Sequence, residues 1–454
     1  MAGQKSAHQI DMLNGSLLPK VFLFALPLAL SGVLQRFFNT ADIIVLGQFV
    51  GSEAIAAVGS TGSVSGLMID LFNGLAVGVN VAVASAYAAE KEKLVSRGVH
   101  TAITISLIGG AVMAVIGYFF ADPILKLMGN PDDVRPLAAT YMQIYFLGMP
   151  FILLYNFGSA ILRSIGDTKR PLYYLFISGV VNVILNLILV IVFGLGTAGV
   201  AIATVMSFVI SSLLVLRALS KEQSCLKFEP KKLCIDAKSL RIISRVGIPA
   251  GIQHSLFSLS NVVVQSAVNS FGSTVMAANS AASNLEGFQY ASMNSVSQAS
   301  VSFASQNYAA KKYKRVDKVV LSCIAASFTI SLVFIILFSL LGRQLLGFYS
   351  KDADVIEIAL QKLILWVMTY FMVGLYEVMN GTLRGIGCSM EPLVISIICT
   401  IAFRMLWIFT VFRSHHEFMV LLSVYPISWL LNFLAALAVY LVKRSKFPKE
   451  ETVS

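Results

Sequence analysis

Long apolar runs with few charges fill this chain from end to end. One of them, ILNLILVIVFGL, occupies residues 184–195, and about 20 such residues in a helix are enough to cross a bilayer. Only 13% of the 454 residues are charged, 57% are hydrophobic and the mean hydropathy is +0.79. Soluble proteins carry about 25% charged residues. The pattern therefore predicts an all-α integral membrane protein.

Twelve transmembrane helices can be placed on the apolar runs, six in each half of the chain. The second of them, STGSVSGLMIDLFNGLAVGVNVAVASAY, is rich in Gly and is the least lipid-like. The predicted spans are 18–46, 54–88, 95–121, 134–160, 170–193, 197–218, 242–270, 274–306, 317–341, 355–382, 392–413 and 417–442.

Repeated stretches indicate that the two halves are copies of one unit. ILRSIGDTKRPL, from Ile161, is matched by TLRGIGCSMEPL, which begins 221 residues later at Thr382. One offset across half the chain indicates two six-helix repeats around a central cavity. We predict an N-lobe (1–222), a cytoplasmic inter-lobe connection (223–241) and a C-lobe with a cytoplasmic tail (242–454). The same offset pairs Tyr155 with Tyr376, Gly51-Ser52 with Gly272-Ser273, and Tyr87-Ala88-Ala89 with Tyr308-Ala309-Ala310.

Lys and Arg residues are distributed unequally between the connections. If the N-terminus is cytoplasmic, the inner segments hold 26 of them, and positive residues tend to stay inside. We therefore predict that both termini are cytoplasmic, and we interpret the connection 223–241 as a polar tether ending in a short basic surface helix. The net charge of +11 follows from this topology, so nucleic acid is not an expected partner. The outer connections hold only Lys126, Arg135, Arg343, Lys351, Lys362 and Arg413.

The repeated LRxIG stretch is predicted to be a structural hinge in each lobe. Pro171 and Pro392 stand where a new helix begins, a position that tolerates a missing N–H. Arg163 and Arg384 end the preceding helices, where a cation interacts favourably with the helix dipole.

Charged residues inside spans need a reason, because a carboxylate near mid-bilayer costs about 2.5–3.5 kcal/mol even on insertion scales. Asp42 is the strongest candidate, since Gln35, Asn39 and Asp42 share one helix face. Asn182 and Asn186 lie one turn apart in the fifth span, and Thr204 could complete a polar cluster. The intramembrane charges are Arg36, Asp42, Asp70, Glu286, Glu377 and Arg404.

Several motifs in fixed order resemble the bacterial branch of the multidrug and toxic compound extrusion (MATE) family, over about residues 14–445. They are ALPLALSGVLQ followed by FNTADIIVLGQFVGSEAIAAVG, the paired LRxIG turns, TAGVAIATVMS and YPISW. The resemblance implies secondary active efflux of cationic amphipathic drugs in exchange for H+ or Na+, by rocking of the two lobes.

The same resemblance implies an N-lobe cation-binding network at Asp42, Asn182, Asn186 and Thr204. Position 186 is often Asp in such members, and here it is Asn. Two carboxylates would help each other hold a proton, whereas a lone Asp42 depends on removal from water for the same effect. An Asn oxygen can also ligate Na+, so both ions stay open, and so does a purely structural role for Asp42.

Glu286 lies in AASNLEGFQYASMN, a helix rich in Ala, Ser and Asn that is predicted to face water or another helix. The resemblance implies an acidic residue facing the central cavity here. With Gln253 and His254 it could form a substrate-binding surface for cationic drugs, and Asp70 could line the same cavity. The alternatives are that Glu286 pairs with Arg404 or bonds to the backbone.

The sequence lacks several motifs that mark enzymes and metal-binding proteins. There is no GxxxxGK[ST] phosphate loop, no HExxH and no Cys pair at zinc spacing. We therefore expect no enzyme activity, no cofactor and no structural metal, five free thiols, and a monomer whose partners are drugs, H+ or Na+ and membrane lipids.

Two other functions remain open from the residues alone. A lipid-linked oligosaccharide flippase shares the paired-lobe architecture but would need several intramembrane Arg or Lys, and acids outnumber them here. A membrane-embedded transferase would need clustered catalytic groups, and the pairs Asp132-Asp133 and His415-His416 fit ordinary outer loops.

Overall fold

The computed structural model describes residues 9–222 and 224–448, and the described chain is helical almost throughout. The helices are α1 (Leu18–Phe49), α2 (Ser52–Ala88), α3 (Glu92–Leu127), α4 (Arg135–Leu147), α5 (Met149–Ser164), α6 (Lys169–Leu187), α7 (Gly196–Lys221), α8 (Ala237–Asn269), α9 (Ser273–Ala309), α10 (Tyr313–Leu346), α11 (Ala353–Thr369), α12 (Phe371–Gly385), α13 (Met390–Ser396), α14 (Phe403–Trp407), α15 (Phe418–Leu422) and α16 (Val424–Ser445).

Most of these helices are apolar enough to cross a membrane. Among the described residues, eight helical stretches qualify alone, and α4 with α5 and α11 with α12 qualify as pairs bent by 48° and 46°. The long helices α8 and α9 are more polar because Ser, Asn and Gln replace apolar residues along them. Together these make twelve long helical stretches, so the predicted all-α membrane fold is confirmed.

The backbone repeats itself with the offset found in the sequence. Helices α2 and α9 both have 37 residues, and α9 begins 221 positions after α2. Left-handed φ angles recur at the same offset: 121° and 90° at Gly51 and Gly272, 55° and 61° at Glu90 and Lys311, and 90° and 86° at Gly166 and Gly387. Since the turns as well as the helices repeat, the predicted duplication is confirmed.

The described chain forms two compact units. The first contains Leu30–Gly247, and the second contains Asp11–Ala29 and the residues from Ile248 onward. Both divisions fall inside a helix beside a proline, Pro27 in α1 and Pro249 in α8, where a backbone hydrogen bond is missing. Packing defines these units, whereas the predicted lobes follow the repeat and remain a prediction.

The connection between the repeats is packed in place and is not a free tether. Leu226 is fully buried, and Phe228 stacks on the ring of His100 in α3. The Glu229 backbone N–H donates to His100 Nε2 at 3.1 Å. The predicted basic helix forms the first turns of α8, which begins at Ala237, and a single 3-10 turn, Pro230–Lys232, precedes it. Alternating Leu and Phe in SCLKFEP supply the apolar contacts that a polar tether would lack.

The N-terminus of α8 is fixed by a capping residue. Asp236 Oδ2 accepts from the Ser239 backbone N–H at 2.9 Å, and Arg97 of α3 lies 3.3 Å from Oδ1. The backbone hydrogen bond, aided by Arg97, holds the pKa of the Asp236 carboxyl below its usual range. This cap ties the start of α8 to the first unit.

Small residues let α9 approach α12 closely in the second unit. A Cβ on Gly381 would lie 2.2 Å from Ser300 Oγ, so only Gly fits there. Ser300 Oγ donates to the Val378 carbonyl at 3.2 Å. The Ser and Ala content of α9 therefore serves helix packing, as small residues do in membrane proteins.

Candidate functional site

A buried polar network lies in the first unit at the predicted ion site. The Asn186 amide donates to Asp42 Oδ1, and Thr204 Oγ1 donates to Asp42 Oδ2 at 3.4 Å. Asn182 Nδ2 lies 3.3 Å from Thr204 Oγ1, and Asn186 Nδ2 lies 3.3 Å from Asn182 Oδ1. Asp42 is 8% exposed. The structure thus brings four of the predicted residues together from α1, α6 and α7.

Local sequence explains why α6 carries this network. Asn182 and Asn186 are one turn apart and share a buried face. Gly179, on the turn before, lets α6 come close to α1, because a Cβ there would lie 1.8 Å from the Phe38 ring. A π-helical segment, Ile188–Val192, follows directly, and such segments are frequent at functional sites.

The network offers oxygen atoms to a cation. Asn186 Oδ1 is buried and accepts no hydrogen bond from the residues that the structure describes. It belongs to the same amide that donates to Asp42, so an unused acceptor sits beside a carboxylate. Oxygen donors of this kind suit a hard cation, and a carboxylate can also take a proton. The arrangement fits H+ or Na+ chemically.

Two of the residues predicted for this cluster lie elsewhere. Gln35 and Asn39 are exposed on α1 and bond to none of the described side chains of the network. They share a face with Asp42 in a helical projection, yet that face is buried only near Asp42. Asp70, predicted for substrate binding, is half-buried on α2 in the first unit.

Glu286 forms an ion pair that the sequence did not predict. Its Oε1 lies 3.0 Å from Lys362 Nζ, and both side chains are buried, at 7% and 2% exposure. Lys362 also donates to Ser283 Oγ at 2.8 Å, and it lies over the Trp366 ring. The prediction that Lys362 sits in an outer connection is wrong, because α11 carries it into the protein. Arg404 is therefore not the partner of Glu286.

Gln253 and His254 line a separate small cavity in the second unit. It has a volume of about 20 Å³, room for a water molecule or two. Glu377 and Arg384 also line it, and Glu286 does not. The structure thus places Gln253 and His254 at this cavity and Glu286 beside Lys362.

Arg384 is held at this cavity by hydrogen bonds. Its Nη2 donates to Gln253 Oε1 at 2.6 Å, and Gln253 Nε2 donates to Ser396 Oγ at 2.6 Å. Glu377 Oε2 accepts from Ser297 Oγ at 3.0 Å. The sequence marked Arg384 only as the end of a helix. Its repetition at the 221-residue offset was the one available signal for a larger structural role.

The geometry and the fold together define a class. A duplicated bundle of membrane-crossing helices, with charged and amide side chains buried inside each unit, is characteristic of secondary membrane transporters. The MatE family model matches residues 27–188 and 249–410, two segments 222 residues apart that coincide with the two repeats. The chain therefore belongs to the MatE family.

Individual relatives agree with this assignment. The probable multidrug resistance protein YoeA of Bacillus subtilis is 32% identical over 83% of this chain and 82% of its own length. The multidrug export protein MepA of Staphylococcus saprophyticus is 23% identical over 83% of both chains. A solved outward-facing multidrug resistance MATE transporter shares the fold, with a TM-score of 0.88, 22% identity and coverage of 98% of this chain and 99% of its own.

Proposed function

We propose that this protein exports cationic amphipathic compounds across the bacterial cytoplasmic membrane in exchange for inward H+ or Na+, by alternating access. The observation that carries the proposal is the buried network around Asp42. Relatives named for multidrug resistance and export support the direction and the class of cargo. Binding of H+ or Na+ at Asp42 would favour the state that releases substrate outward.

Asp42 suits this role because its charge is nearly removed from water. A buried carboxylate is costly, so a proton or Na+ that neutralises it stabilises a compact arrangement of α1, α6 and α7. Loss of the ion leaves a negative charge held by two hydrogen-bond donors only. The network thus has two states whose balance depends on the ion.

The driving force limits the possible stoichiometry. Each elementary charge that crosses 100 mV gains about 2.3 kcal/mol. One proton entering against one monovalent cation leaving moves no net charge, so it uses only the pH gradient, at about 1.4 kcal/mol per unit. Two ions per substrate would also use the voltage.

The substrate-binding residues on the second unit include Glu286 in this proposal. Because Glu286 is paired with Lys362, a cationic substrate has to replace the Lys362 ammonium at the carboxylate. Asp70, Gln253 and His254 remain proposed contributors at other positions. We further propose that the protein works as a monomer among membrane lipids, with both termini cytoplasmic.

The ion pair between Lys362 and Glu286 gives no support to the alternative that the protein is a lipid-linked oligosaccharide flippase. Lys362 joins Arg36, Arg384 and Arg404 among the cations inside the bundle, yet Glu286 neutralises it. A pyrophosphate group would need several unpaired cations on one surface. Drug export therefore remains the favoured function.

The test uses purified protein in liposomes that contain a fluorescent cation such as ethidium. A pH gradient and then a Na+ gradient are imposed, and dye movement is followed. We expect one gradient to drive transport and Asp42→Asn to abolish the response to it, because the amide cannot bind a proton or offer a full charge. Thr204→Val should weaken the response less.

The matched control is Glu53→Gln, which removes an exposed carboxylate from α2 of the same unit and should transport normally. Export by Asp42→Asn at the full rate across external pH of about 6 to 8 would overturn the coupling proposal. If no gradient moves several cationic dyes, the export proposal itself fails, and lipid-linked sugars would be tested next.

A further inference from the structure

Arg404 is a buried cation that has no acidic partner among the described residues. It lies on α14 and is 1% exposed. Its guanidinium donates to Asn261 Oδ1 at 3.0 Å, and weaker contacts reach Ser428 and Ser260 at 3.3 and 3.5 Å. Within the part of the chain that the structure describes, no carboxylate lies at ion-pair distance from it. Three neutral oxygens surround a full positive charge.

Aromatic rings compensate only part of this charge. The guanidinium lies 4.5 Å from the centroid of Tyr425 and 5.2 Å from that of Phe257. Such contacts are favourable, but they leave N–H groups at the edge of the guanidinium unsatisfied. Arg404 Nη2 is buried and donates to no group among the described residues. An unsatisfied charged donor in a bundle interior is expensive.

Two indole N–H groups beside Arg404 are also buried donors without a hydrogen-bond partner among the described residues. Trp366 and Trp429 pack on Tyr425, with ring centroids 4.6 and 5.9 Å away. Both Nε1 atoms are buried and have no acceptor at hydrogen-bond geometry in the described chain. Tyr370 is a polar neighbour of Trp366 but does not satisfy it. One aromatic cluster therefore holds three unused donors.

The local backbone favours a functional interpretation of this cluster. Helix α14 is only five residues long and lies between the π-helical segments Ile397–Ala402 and Ile408–Phe412. Two interruptions of this kind within one span are unusual, and π-helical turns concentrate at functional sites. They place Arg404 on a five-residue segment between two changes of helical geometry.

We propose that this cluster in the second unit is a binding site for an anionic, acceptor-only group, held by Arg404 and the indole N–H groups of Trp366 and Trp429. A carboxylate, a phosphate oxygen or a halide accepts hydrogen bonds and donates none, which matches three unused donors. A cation is excluded there by the charge of Arg404. The nearby acid, Glu286, is engaged by Lys362 and does not compete.

Two sources can supply such a group. One is a free halide from solution, and the other is the carboxylate of a substrate that also carries a cationic amine. The second source would extend the cargo from cations to zwitterions. The inference does not depend on the proposed coupling at Asp42, because that network lies in the first unit and the experiment below measures no transport.

The protein contains three Trp residues, and two of them belong to the proposed site. The third, Trp407, donates its N–H to the Val420 carbonyl at 3.1 Å. A Trp407→Phe background therefore limits the fluorescence signal to Trp366 and Trp429. Iodide, an anionic quencher, is titrated into purified protein at constant ionic strength with gluconate as the balancing anion. Acrylamide serves as the neutral quencher.

We expect iodide quenching that saturates and that chloride or benzoate reverses by competition. In Arg404→Gln the apparent affinity should fall by about tenfold or more, because a charge-assisted hydrogen bond is lost. Arg163→Gln is the control, since it removes a guanidinium from the first unit, which has no Trp. If benzoate competes with iodide more strongly than chloride does, the natural ligand is a carboxylate-bearing substrate. If chloride competes more strongly, the natural ligand is a free halide.

A measurement on the Trp407→Phe protein is enough to overturn the proposal. Iodide quenching would then increase linearly with concentration, as acrylamide quenching does, and neither chloride nor benzoate would reduce it. This outcome needs no Arg404 variant, so a folding defect in Arg404→Gln cannot obscure it. Arg404→Lys provides a second variant, which keeps the charge and should retain weakened, saturable quenching. Quenching unchanged in both Arg404 variants would also overturn the proposal.

Discussion

At the scale of single residues, the two repeats have diverged in charge. The positions 221 residues after Asp42 and Asn186 are Val263 and Trp407, so the second unit lacks the carboxylate network of the first. It instead buries the cation Arg404 on the span that corresponds to α6. The duplicated backbone thus buries Asp42 against α6 in one copy and Arg404 on the corresponding span in the other.

The pairing of Glu286 with Lys362 leads to a prediction about substrate affinity. Lys362→Met removes the competing ammonium and keeps a similar apolar stem. We expect cationic dyes to bind about tenfold more tightly, because Glu286 is then an unpaired buried carboxylate. Equilibrium dye binding by fluorescence anisotropy measures this change.

The control for this prediction is the double variant Lys362→Met with Glu286→Gln. It should lose the gain, since neither charge remains. Equal dye affinity in Lys362→Met and the unaltered protein would mean that Glu286 does not contact the cationic group.

At the scale of helices, an ion pair at the ends predicted to be cytoplasmic is repeated with its charges exchanged. Arg170 Nη1 lies 2.6 Å from Glu222 Oε1 and joins the start of α6 to the end of α7. At the 221-residue offset, Glu391 Oε1 lies 2.6 Å from Lys443 Nζ. Asp167, a second partner of Arg170, corresponds to the uncharged Cys388. The geometry is shared although the signs are opposite.

Reversing the charges of this ion pair in the first repeat is therefore predicted to preserve stability only if all three residues are changed together. Arg170→Glu alone should destabilise the protein by about 2 kcal/mol or more, because it leaves three acids together partly out of water. Adding Glu222→Lys should restore only part of the loss, since Asp167 still faces Glu at position 170. Adding Asp167→Cys as well should restore most of it. Thermal unfolding in detergent compares the three variants, and full recovery without the change at Asp167 would contradict the argument.

At the scale of the whole molecule, the distribution of Lys and Arg predicts which ends of the helices face the cytoplasm. The predicted inner connections hold 26 of these residues, and the outer connections hold five once the buried Lys362 is left out. The side predicted to be cytoplasmic includes the packed segment after α7, where Cys234 is exposed. The side predicted to be external includes the segment after α3, where Asp132 is exposed.

This orientation is testable by thiol labelling in whole cells. In a variant with Cys234 as the only cysteine, a membrane-impermeant maleimide should label the protein only after the cells are permeabilised. Asp132→Cys in a cysteine-free background is the control and should label in intact cells. Labelling of Cys234 in intact cells would reverse the predicted topology.

The sequence by itself determined the features that depend on local pattern. Apolar length sets the number of spans, the 221-residue offset reveals the duplication, and the cost of a buried charge directs attention to Asp42. Helical spacing then placed Asn182 and Asn186 on one buried face. Each of these inferences needs only residues close in the chain or one fixed shift.

The tertiary structure decided what depends on contacts between distant residues. Lys362 is drawn inside by Glu286, which lies 76 positions earlier, and no local pattern encodes that pairing. Arg404 is packed among aromatic rings from other helices, and Leu226 and Phe228 turn an expected tether into a packed segment. The physical reason is common to all three: whether a polar or apolar side chain is satisfied depends on which neighbours the packed helices bring to it, and only the fold specifies those neighbours.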